Sequence, residues 1–194
     1  MRSMAKFGGI LGLICLIATA LLASMNAVTA GRIRLQAEQE LQDSLKEVMP
    51  DAAAFEPVIA DNEISYYKVT DTDGRLLGAA FKVSAKGYSS IIDTVVGMKP
   101  DGTIAAIKVV SQQETPGLGS RISEVADTVS IMDFIRGVRP RTDLKPWFQA
   151  RFGQKNIADL DKVEAITGAT ISSRAVIDSV KQKALQIQAI LNNG

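Results

Sequence analysis

The sequence predicts an α+β domain, a twisted antiparallel sheet with flanking helices, preceded by one N-terminal transmembrane helix. Three observations support this prediction. Residues 7–30 contain no charged side chain. Two Asp-Gly turns, at 73–74 and 101–102, each lie between segments rich in β-branched and aromatic residues. Apolar residues of the final segment, 172–192, recur at the spacing of an amphipathic helix.

The uncharged segment 7–30 is long enough to be a membrane anchor. As a helix it would extend roughly 36 Å, more than the hydrocarbon thickness of a bilayer. A cleaved signal peptide is the alternative, because residues 28–30 are small, but the apolar part of a signal peptide is usually shorter. Arg2 and Lys6 favour a cytoplasmic N-terminus, although two arginines follow the segment. We therefore expect a single-pass protein of the cell inner membrane with its globular part on the periplasmic side.

Three regions are expected along the chain. They are a tail and anchor at residues 1–30, an amphipathic helix with a linker at 31–57, and the main domain at 58–194. The helix is predicted from Arg32 to Val48, because its apolar residues recur at helical spacing, and Pro50 ends it.

The predicted sheet is built from two hairpins. Residues 64–70 and 77–83 flank the first Asp-Gly turn, and residues 91–98 and 103–110 flank the second. After the sheet the pattern becomes less regular. There we expect a short helix and then a strand or loop over 122–137, irregular chain around the prolines at 140 and 146, and a helical turn with aromatic core residues over 147–152.

Composition excludes several kinds of chemistry. The 194 residues include no histidine, which removes imidazole as a general base, a Ser-His-Asp triad and a histidine zinc site. The one cysteine, Cys15, can neither form a disulfide within the chain nor hold an iron–sulfur cluster alone. With 22 basic and 21 acidic residues, the chain gives no reason to expect a nucleic-acid partner. Redox chemistry would need a cofactor, and we expect no catalytic residue and no metal site.

An anion site is predicted immediately before the C-terminal helix. Gly168 and Ala169 leave backbone amides open to close approach, and the helix start adds unpaired amides and the positive end of its dipole. These features suit a phosphate, and Thr170 places a hydroxyl beside it. The alternative is an ordinary N-cap, since threonine and serine are common at that position. The local pattern alone leaves both interpretations open.

Residues 166–170, Ile-Thr-Gly-Ala-Thr, resemble the attachment motif of the FMN-binding domain family, with an acidic residue six positions before the threonine. Residues 114–119, Glu-Thr-Pro-Gly-Leu-Gly, resemble the family's second loop, which lies against the flavin. Residues 86–88 and the aromatic residues at 147 and 152 extend the resemblance. Two such loops in this order are much more specific than either alone. The family includes the C subunit of the sodium-pumping NADH:quinone reductase and the G subunit of the Rnf complex, which this chain resembles more closely in length.

The resemblance assigns residues to the site. Thr170 matches the threonine whose oxygen bonds to the FMN phosphate, so it implies covalent FMN held by a phosphoester. Glu164, with Gly168 and Ala169, matches the part recognised by the flavin transferase, which is expected to use FAD and release AMP. The other residues expected at the cofactor are Glu114, Thr115, Gly117, Leu118, Thr167, Gly168 and Ala169.

The sequence departs from the family pattern in three places. Glu164 stands where the family usually has aspartate, one methylene shorter, and we expect this to slow recognition by the transferase. Residues 112 and 113 are both glutamine, where a histidine is often found, which implies that histidine is not needed for electron transfer. Residues 89 and 90 are serines where glycines are common, so the local loop is expected to differ.

The resemblance implies a membrane-anchored flavoprotein subunit that relays electrons within an Rnf-type ion-translocating membrane complex. Its partners would be the other membrane subunits, the flavin transferase during maturation, and membrane lipid. Such a subunit belongs to a translocase and is not expected to be catalytic alone. One alternative is a stand-alone membrane-anchored flavin reductase, although the sequence has no Gly-rich dinucleotide loop. The other is a flavin-free scaffold subunit.

Overall fold

The computed structural model describes residues 2–60, 63–124 and 146–193. The chain forms two compact units, residues 1–40 and residues 41–194. Helix α1 (Arg2–Val48) supplies the first unit and the beginning of the second. It runs without a break because no proline separates the two helices that the sequence predicts there.

The part of α1 in the first unit has the surface of a lipid-facing helix. Its most apolar window reaches a mean hydropathy of 2.2, and none of that window is buried. Large side chains such as Leu11 and Leu22 are exposed. The hydroxyls of Thr19 and Thr29 donate to carbonyls four residues earlier, at 2.8 and 2.7 Å, which satisfies them without water. Within the described residues, α1 is the one helix whose length and composition would allow it to cross a membrane.

The end of α1 packs on one face of the sheet within the second unit. Gly97 lets the helix approach closely, because a Cβ there would lie 2.7 Å from the carbonyl oxygen of Val48. The helix ends at Val48, just before Pro50, as predicted. The buried residues of this contact are Leu45, Val48 and Met49 from the helix segment, and Tyr67, Val69, Ala80 and Val95 from the sheet.

Five antiparallel strands form the sheet in the order β1-β2-β3-β4-β5. Both predicted hairpins are confirmed, β2 with β3 and β4 with β5. Their turns contain Gly74 and Gly102 at φ of +76° and +79°, a left-handed conformation that favours glycine. The strands are β1 (Ala54–Ala60), β2 (Glu63–Thr70), β3 (Leu76–Lys86), β4 (Ile91–Met98) and β5 (Ile104–Ser111).

The sequence analysis does not predict strand β1, which lies at the edge of the sheet. Most of its residues are exposed, so it lacks a clear alternation of apolar and polar side chains. Pro57 also argues against a strand in the sequence. Among the described strands β1 pairs only with β2, and an edge strand tolerates proline because one side of its backbone has no ladder to complete.

Helix α3 (Thr170–Asn193) packs on the face of the sheet opposite α1 and contributes to the larger core. Its predicted apolar face is confirmed, since Val176, Val180, Ala184 and Ile187 are fully buried. The short helix α2 (Trp147–Ala150) adds Phe148 to the same core, and Phe152 follows it. These two rings meet edge to face with centroids 5.4 Å apart, which confirms the predicted aromatic turn.

Two short 3₁₀ helices, Gly119–Ile122 and Ile157–Lys162, complete the described elements. The helix and the strand or loop predicted over 122–137 lie, apart from their first three residues, outside the described residues. So does the irregular chain predicted around Pro140.

Candidate functional site

The start of α3 has the backbone geometry of an anion site. Gly168 has a φ of +82°, which turns the chain into the helix and favours glycine. The Ser173 amide donates to the Ala169 carbonyl at 2.9 Å and closes the first turn. The amides that precede this bond, up to that of Ser172, therefore have no acceptor within the helix. These amides lie at the N-terminal end of a 24-residue helix, which is the positive end of its dipole.

Thr170 is the first residue of α3 and is exposed. Its hydroxyl makes no hydrogen bond to the part of the chain that the structure describes. The loop is closed instead by Ser173, whose Oγ accepts from the Ile166 amide at 3.1 Å. The structure therefore does not favour the N-cap interpretation of Thr170, since a capping hydroxyl would accept an amide of the first turn.

Glu114 is the centre of the second loop. Its carboxylate is 6% exposed and accepts five hydrogen bonds. The amide of Tyr88 donates to Oε2 at 3.2 Å, and the amides of Ser89 and Ser90 donate to Oε1 at 3.0 and 2.9 Å. The Ser90 hydroxyl also donates to Oε1, and the Ser172 hydroxyl donates to Oε2 at 2.6 Å. One carboxylate thus joins the β3–β4 turn, the loop after β5 and the first turn of α3.

Hydrogen bonding decides the protonation of Glu114. Burial by itself raises the pKa of this carboxyl. Donation by the Ser172 hydroxyl, the amides of Ser90 and Ser89, and the Ser90 hydroxyl outweighs burial, so the pKa lies below its ordinary value. Glu114 is therefore ionised at neutral pH and is not a proton donor or acceptor there.

Two glycines allow this close packing around the carboxylate. A Cβ at Gly119 would lie 2.6 Å from Oε2 of Glu114, and a Cβ at Gly87 would lie 2.6 Å from its Oε1. Such distances are too short for a side chain, so both positions require glycine for a steric reason. The requirement for Gly119 agrees with its place in the motif of residues 114–119.

The two motif loops meet in one cleft of about 380 Å³. They lie close together, since a Cβ added at Gly168 would come within 3.4 Å of Cδ2 of Leu118. The cleft therefore combines the anion site and the Thr170 hydroxyl with the Glu114 carboxylate. Its lining residues are Tyr88, Glu114, Thr115, Leu118, Gly119, Gly168, Ala169, Thr170, Ile171 and Ser172.

The cleft also has apolar walls that are open to solvent. Tyr88, Leu118 and Ile171 line it and are 70%, 49% and 56% exposed. Exposed apolar side chains grouped around a cleft commonly mark a binding site. Apolar walls next to an anion site suit a ligand that has both a flat aromatic ring and a phosphate. FMN has both groups, so the residues present fit it.

The structure groups most of the predicted site residues but not all of them. Gly117, Thr167 and Glu164 do not line the cleft. Gly117 has a φ of +75° and shapes the loop, and Thr167 is an exposed residue of the turn before α3. Sequence reasoning did not assign Gly119, Ile171 and Ser172 to the site and used Tyr88 only for the resemblance. Gly119 lies within the first motif, and adjacency to the second motif was the signal for Ile171 and Ser172.

Glu164 lies on the surface near α2. Its side chain is 80% exposed, and Oε2 lies 2.7 Å from Nη1 of Arg151. The Arg151 guanidinium in turn lies 4.6 Å from the ring centroid of Trp147, a cation–π contact. Trp147 is half-buried against the core, so the expected core role is combined with this stacking. The sequence also allows a partner-facing basic patch of Arg151 with Arg139, Arg141 and Lys145, but the last three lie outside the described residues.

The described lining of the cleft offers binding and positioning groups but no acid–base pair. Glu114 is the one carboxylate among those lining residues and is held ionised, and the chain has no histidine. In the described residues, 2–60, 63–124 and 146–193, no cluster of acidic or cysteine side chains could hold a metal ion. The arrangement can therefore bind and orient a cofactor, while the chemistry would belong to that cofactor.

Comparison with known proteins gives consistent matches. Residues 87–185 match the FMN-binding domain family, and residues 1–48 match the RnfG N-terminal region. The G subunit of the ion-translocating oxidoreductase complex of Methanosarcina acetivorans is 31% identical, over 84% of this chain and 84% of the relative. The corresponding G subunit of Pasteurella multocida is 31% identical, over 97% of this chain and 95% of the relative. The crystal structure of Shewanella oneidensis NqrC aligns with 73% of this chain and 74% of that chain, at 22% identity and a TM-score of 0.42.

Proposed function

We propose that this chain, which belongs to the FMN-binding domain family and to the G subunits of ion-translocating oxidoreductase complexes, carries FMN bonded to Thr170 and relays electrons within such a complex. One observation carries the assignment of the attachment site. Thr170 is exposed in a cleft where both motif loops meet. The first amides of α3 have no acceptor within the helix there and can bind an anion.

Among the hydroxyls that line the cleft, Thr170 suits the bond to phosphorus best. The Ser172 hydroxyl is 1% exposed and already donates to Glu114. Thr115 is exposed, but it belongs to the loop after β5 and not to the helix whose first amides would hold the phosphate. Thr170 alone combines an exposed hydroxyl with the first turn of α3.

Attachment requires a separate flavin transferase. A threonine hydroxyl is a poor nucleophile at neutral pH, and this chain has no histidine to activate it. In the proposed reaction the Thr170 oxygen bonds to the FMN phosphorus of FAD, the pyrophosphate bond breaks, and AMP leaves. The hydroxyl proton passes to a base of the transferase. Glu164 is 80% exposed, so it is accessible to that protein.

The residues around the cleft would hold the flavin and orient it. The helix amides and the turn at Gly168 would hold the phosphate, and Tyr88, Leu118 and Ile171 would pack on the ring. The bound flavin would supply the electron-transfer chemistry. The partially open cleft suits electron exchange with neighbouring subunits, and no second substrate site is needed for that role.

We further propose that α1 anchors the domain in the cell inner membrane, with the cleft on the periplasmic side. The apolar, exposed surface of α1 and the family match over residues 1–48 support the anchor. Arg2 and Lys6 before the apolar segment support the orientation. Lipid, the other subunits of the complex and the flavin transferase are then the expected partners.

The first prediction tests the attachment site in full-length protein made with a flavin transferase. Thr170→Val keeps the shape of the side chain but removes the bonding oxygen, so flavin fluorescence on a denaturing gel and the mass of a bonded FMN should both be lost. Thr167→Val is the matched control, because Thr167 does not line the cleft, and it should retain attachment. Bonded flavin in the Thr170 variant would show that the site is wrong, and its absence from the wild type would favour the scaffold alternative.

A further inference from the structure

We propose that Glu114 is a fixed negative charge in the floor of the cleft that lowers the reduction potential of the flavin held there. This inference rests on the proposed function, because it requires FMN in the cleft. It assigns Glu114 an electrostatic role in addition to its place in a flavin-contacting loop.

The contacts of Glu114 require a charged carboxylate. All five of its partners donate, three of them backbone amides that cannot do otherwise. A protonated carboxyl would turn its own O–H toward these donors and would leave a donor without an acceptor. Glu114 is therefore an anion. Its carboxylate accepts from consecutive backbone amides in the same way as a bound anion does.

No cation neutralises this charge within the described part of the chain. The five ion pairs found there involve other acidic residues. The donors of Glu114 are neutral amides and hydroxyls, which stabilise the anion without removing its net charge. A full negative charge thus remains at a position that is 6% exposed.

The charge also lies close to any group that fills the cleft. Glu114 and Thr170 line the same cleft of about 380 Å³, and Ser172, two residues after Thr170, donates to the carboxylate. A ligand that fills the cleft is therefore bordered by Glu114. Water and salt screen a buried charge much less than a surface charge, so its field acts on the ligand.

The sign of the effect follows from elementary electrostatics. Reduction adds electrons to the flavin, and a nearby negative charge makes that addition less favourable. The reduction potential in the presence of ionised Glu114 should therefore be lower than it would be with a neutral residue of the same shape. The flavin becomes a stronger reductant toward its acceptor.

Two substitutions separate the charge from the hydrogen bonding. Glu114→Gln removes the charge and keeps an oxygen for Ser89 and Ser90, and its amide can donate to the Ser172 oxygen, while the Tyr88 amide loses its acceptor. Ser172→Ala removes the 2.6 Å hydrogen bond but leaves the charge in place. Glu124→Gln is the control for an exposed carboxylate further along the same loop, where it accepts from Ser120.

The test is a redox titration of full-length flavinylated protein in detergent, with dithionite as reductant and flavin absorbance as the signal. Glu114→Gln should shift the potential to more positive values, and the shift should persist at high ionic strength. Ser172→Ala should give no shift or a shift to more negative values, and Glu124→Gln should match the wild type. Intact mass is measured first on every sample to establish that FMN is bonded.

Each outcome decides the proposal. An unshifted potential in Glu114→Gln overturns it, and so does an equal positive shift in Ser172→Ala, which would mean that a loosened cleft is the cause. Absence of bonded FMN from the wild type overturns the proposed function and this inference together. If Glu114→Gln does not fold, Thr115→Lys places a cation at the residue after Glu114, in the lining of the same cleft, and leaves the five donors to Glu114 unchanged. That variant should also shift the potential to more positive values, and failure to do so overturns the proposal.

Discussion

Glu114 and Glu164 are the acidic residues of the two motif loops, and the structure places them in opposite environments. Glu114 is 6% exposed, accepts five hydrogen bonds and lines the cleft. Glu164 is 80% exposed, lies outside the cleft lining and pairs with Arg151 alone among the described residues. The same side chain therefore serves as an internal tie in one loop and as an accessible surface group in the other.

The difference shows that a motif does not specify the role of its carboxylate. Gly87 and Gly119 allow three segments to approach Glu114 closely. The groups that contact its carboxylate are neutral hydrogen-bond donors. Glu164 has water on most sides, where an ion pair contributes little to stability. A surface carboxylate remains available to another protein, whereas a buried one is committed to its own fold.

The largest effect that distinguishes the two residues should be on stability. Glu114→Ala leaves three partly buried amides of the β3–β4 turn without their acceptor and should lower the free energy of unfolding by about 3 kcal/mol. Glu164→Ala, the matched control, should cost no more than about 0.5 kcal/mol. Urea unfolding of both variants, followed by the fluorescence of the single tryptophan, measures the difference. Equal losses in the two variants would mean that the different environments of Glu114 and Glu164 do not change their contributions to the free energy of unfolding.

A smaller effect should follow from crowding the carboxylate without removing it. Gly119→Ala places a Cβ 2.6 Å from Oε2 and 2.7 Å from Cβ of Glu114, so the loop must shift. We expect a loss of about 2 kcal/mol, as in overpacked cores. Gly153→Ala is the control, because its Cβ would meet nothing closer than 3.6 Å, and it should change stability by less than about 0.5 kcal/mol. A tolerated alanine at 119 would show that the loop around Glu114 is not tightly packed.

The smallest effect should appear in the pH dependence of stability. The pKa of Glu114 lies below its ordinary value of 4.5, so its ionised form stabilises the fold. That contribution is complete above the unfolded pKa and is lost as pH falls through the folded pKa. The stability advantage of the wild type over Glu114→Gln should therefore shrink as the pH falls through and below the ordinary pKa of 4.5. Ser172→Ala, which removes one donor, should show a weaker dependence. Parallel acid profiles for wild type and Glu114→Gln would contradict the assignment.

Local patterns were sufficient to predict most of the described fold. The two hairpins follow from Asp-Gly turns between β-prone segments, and α3 follows from apolar spacing. Strand β1 could not be predicted this way, because an exposed edge strand that contains Pro57 shows neither alternation nor apolar density. The sequence also did not predict that α1 is one continuous helix. Composition changes near residue 30, but helical propensity does not end there.

In the candidate site, too, some residues could be predicted from local sequence and others could not. Residues 114–119 and 166–170 could be identified from the chain, because each short motif carries its own turn chemistry. The roles of Tyr88 and Ser172 could not, because they depend on contacts with Glu114 across 26 and 58 residues. No local rule encodes which distant hydroxyl or amide will reach a carboxylate.

The sequence by itself determined the elements whose signals are local: the apolar helix, the hairpins, the amphipathic helix and the hydroxyl at position 170. It also determined what is missing, since a chain without histidine cannot supply an imidazole base. Only the tertiary structure decided that the two loops form one cleft, that Glu114 is buried there and ionised, and that Glu164 faces solvent. The physical reason is that burial and hydrogen bonding are properties of the packed chain, set where distant segments meet, and they alone decide whether a carboxylate is an internal charge or a surface group.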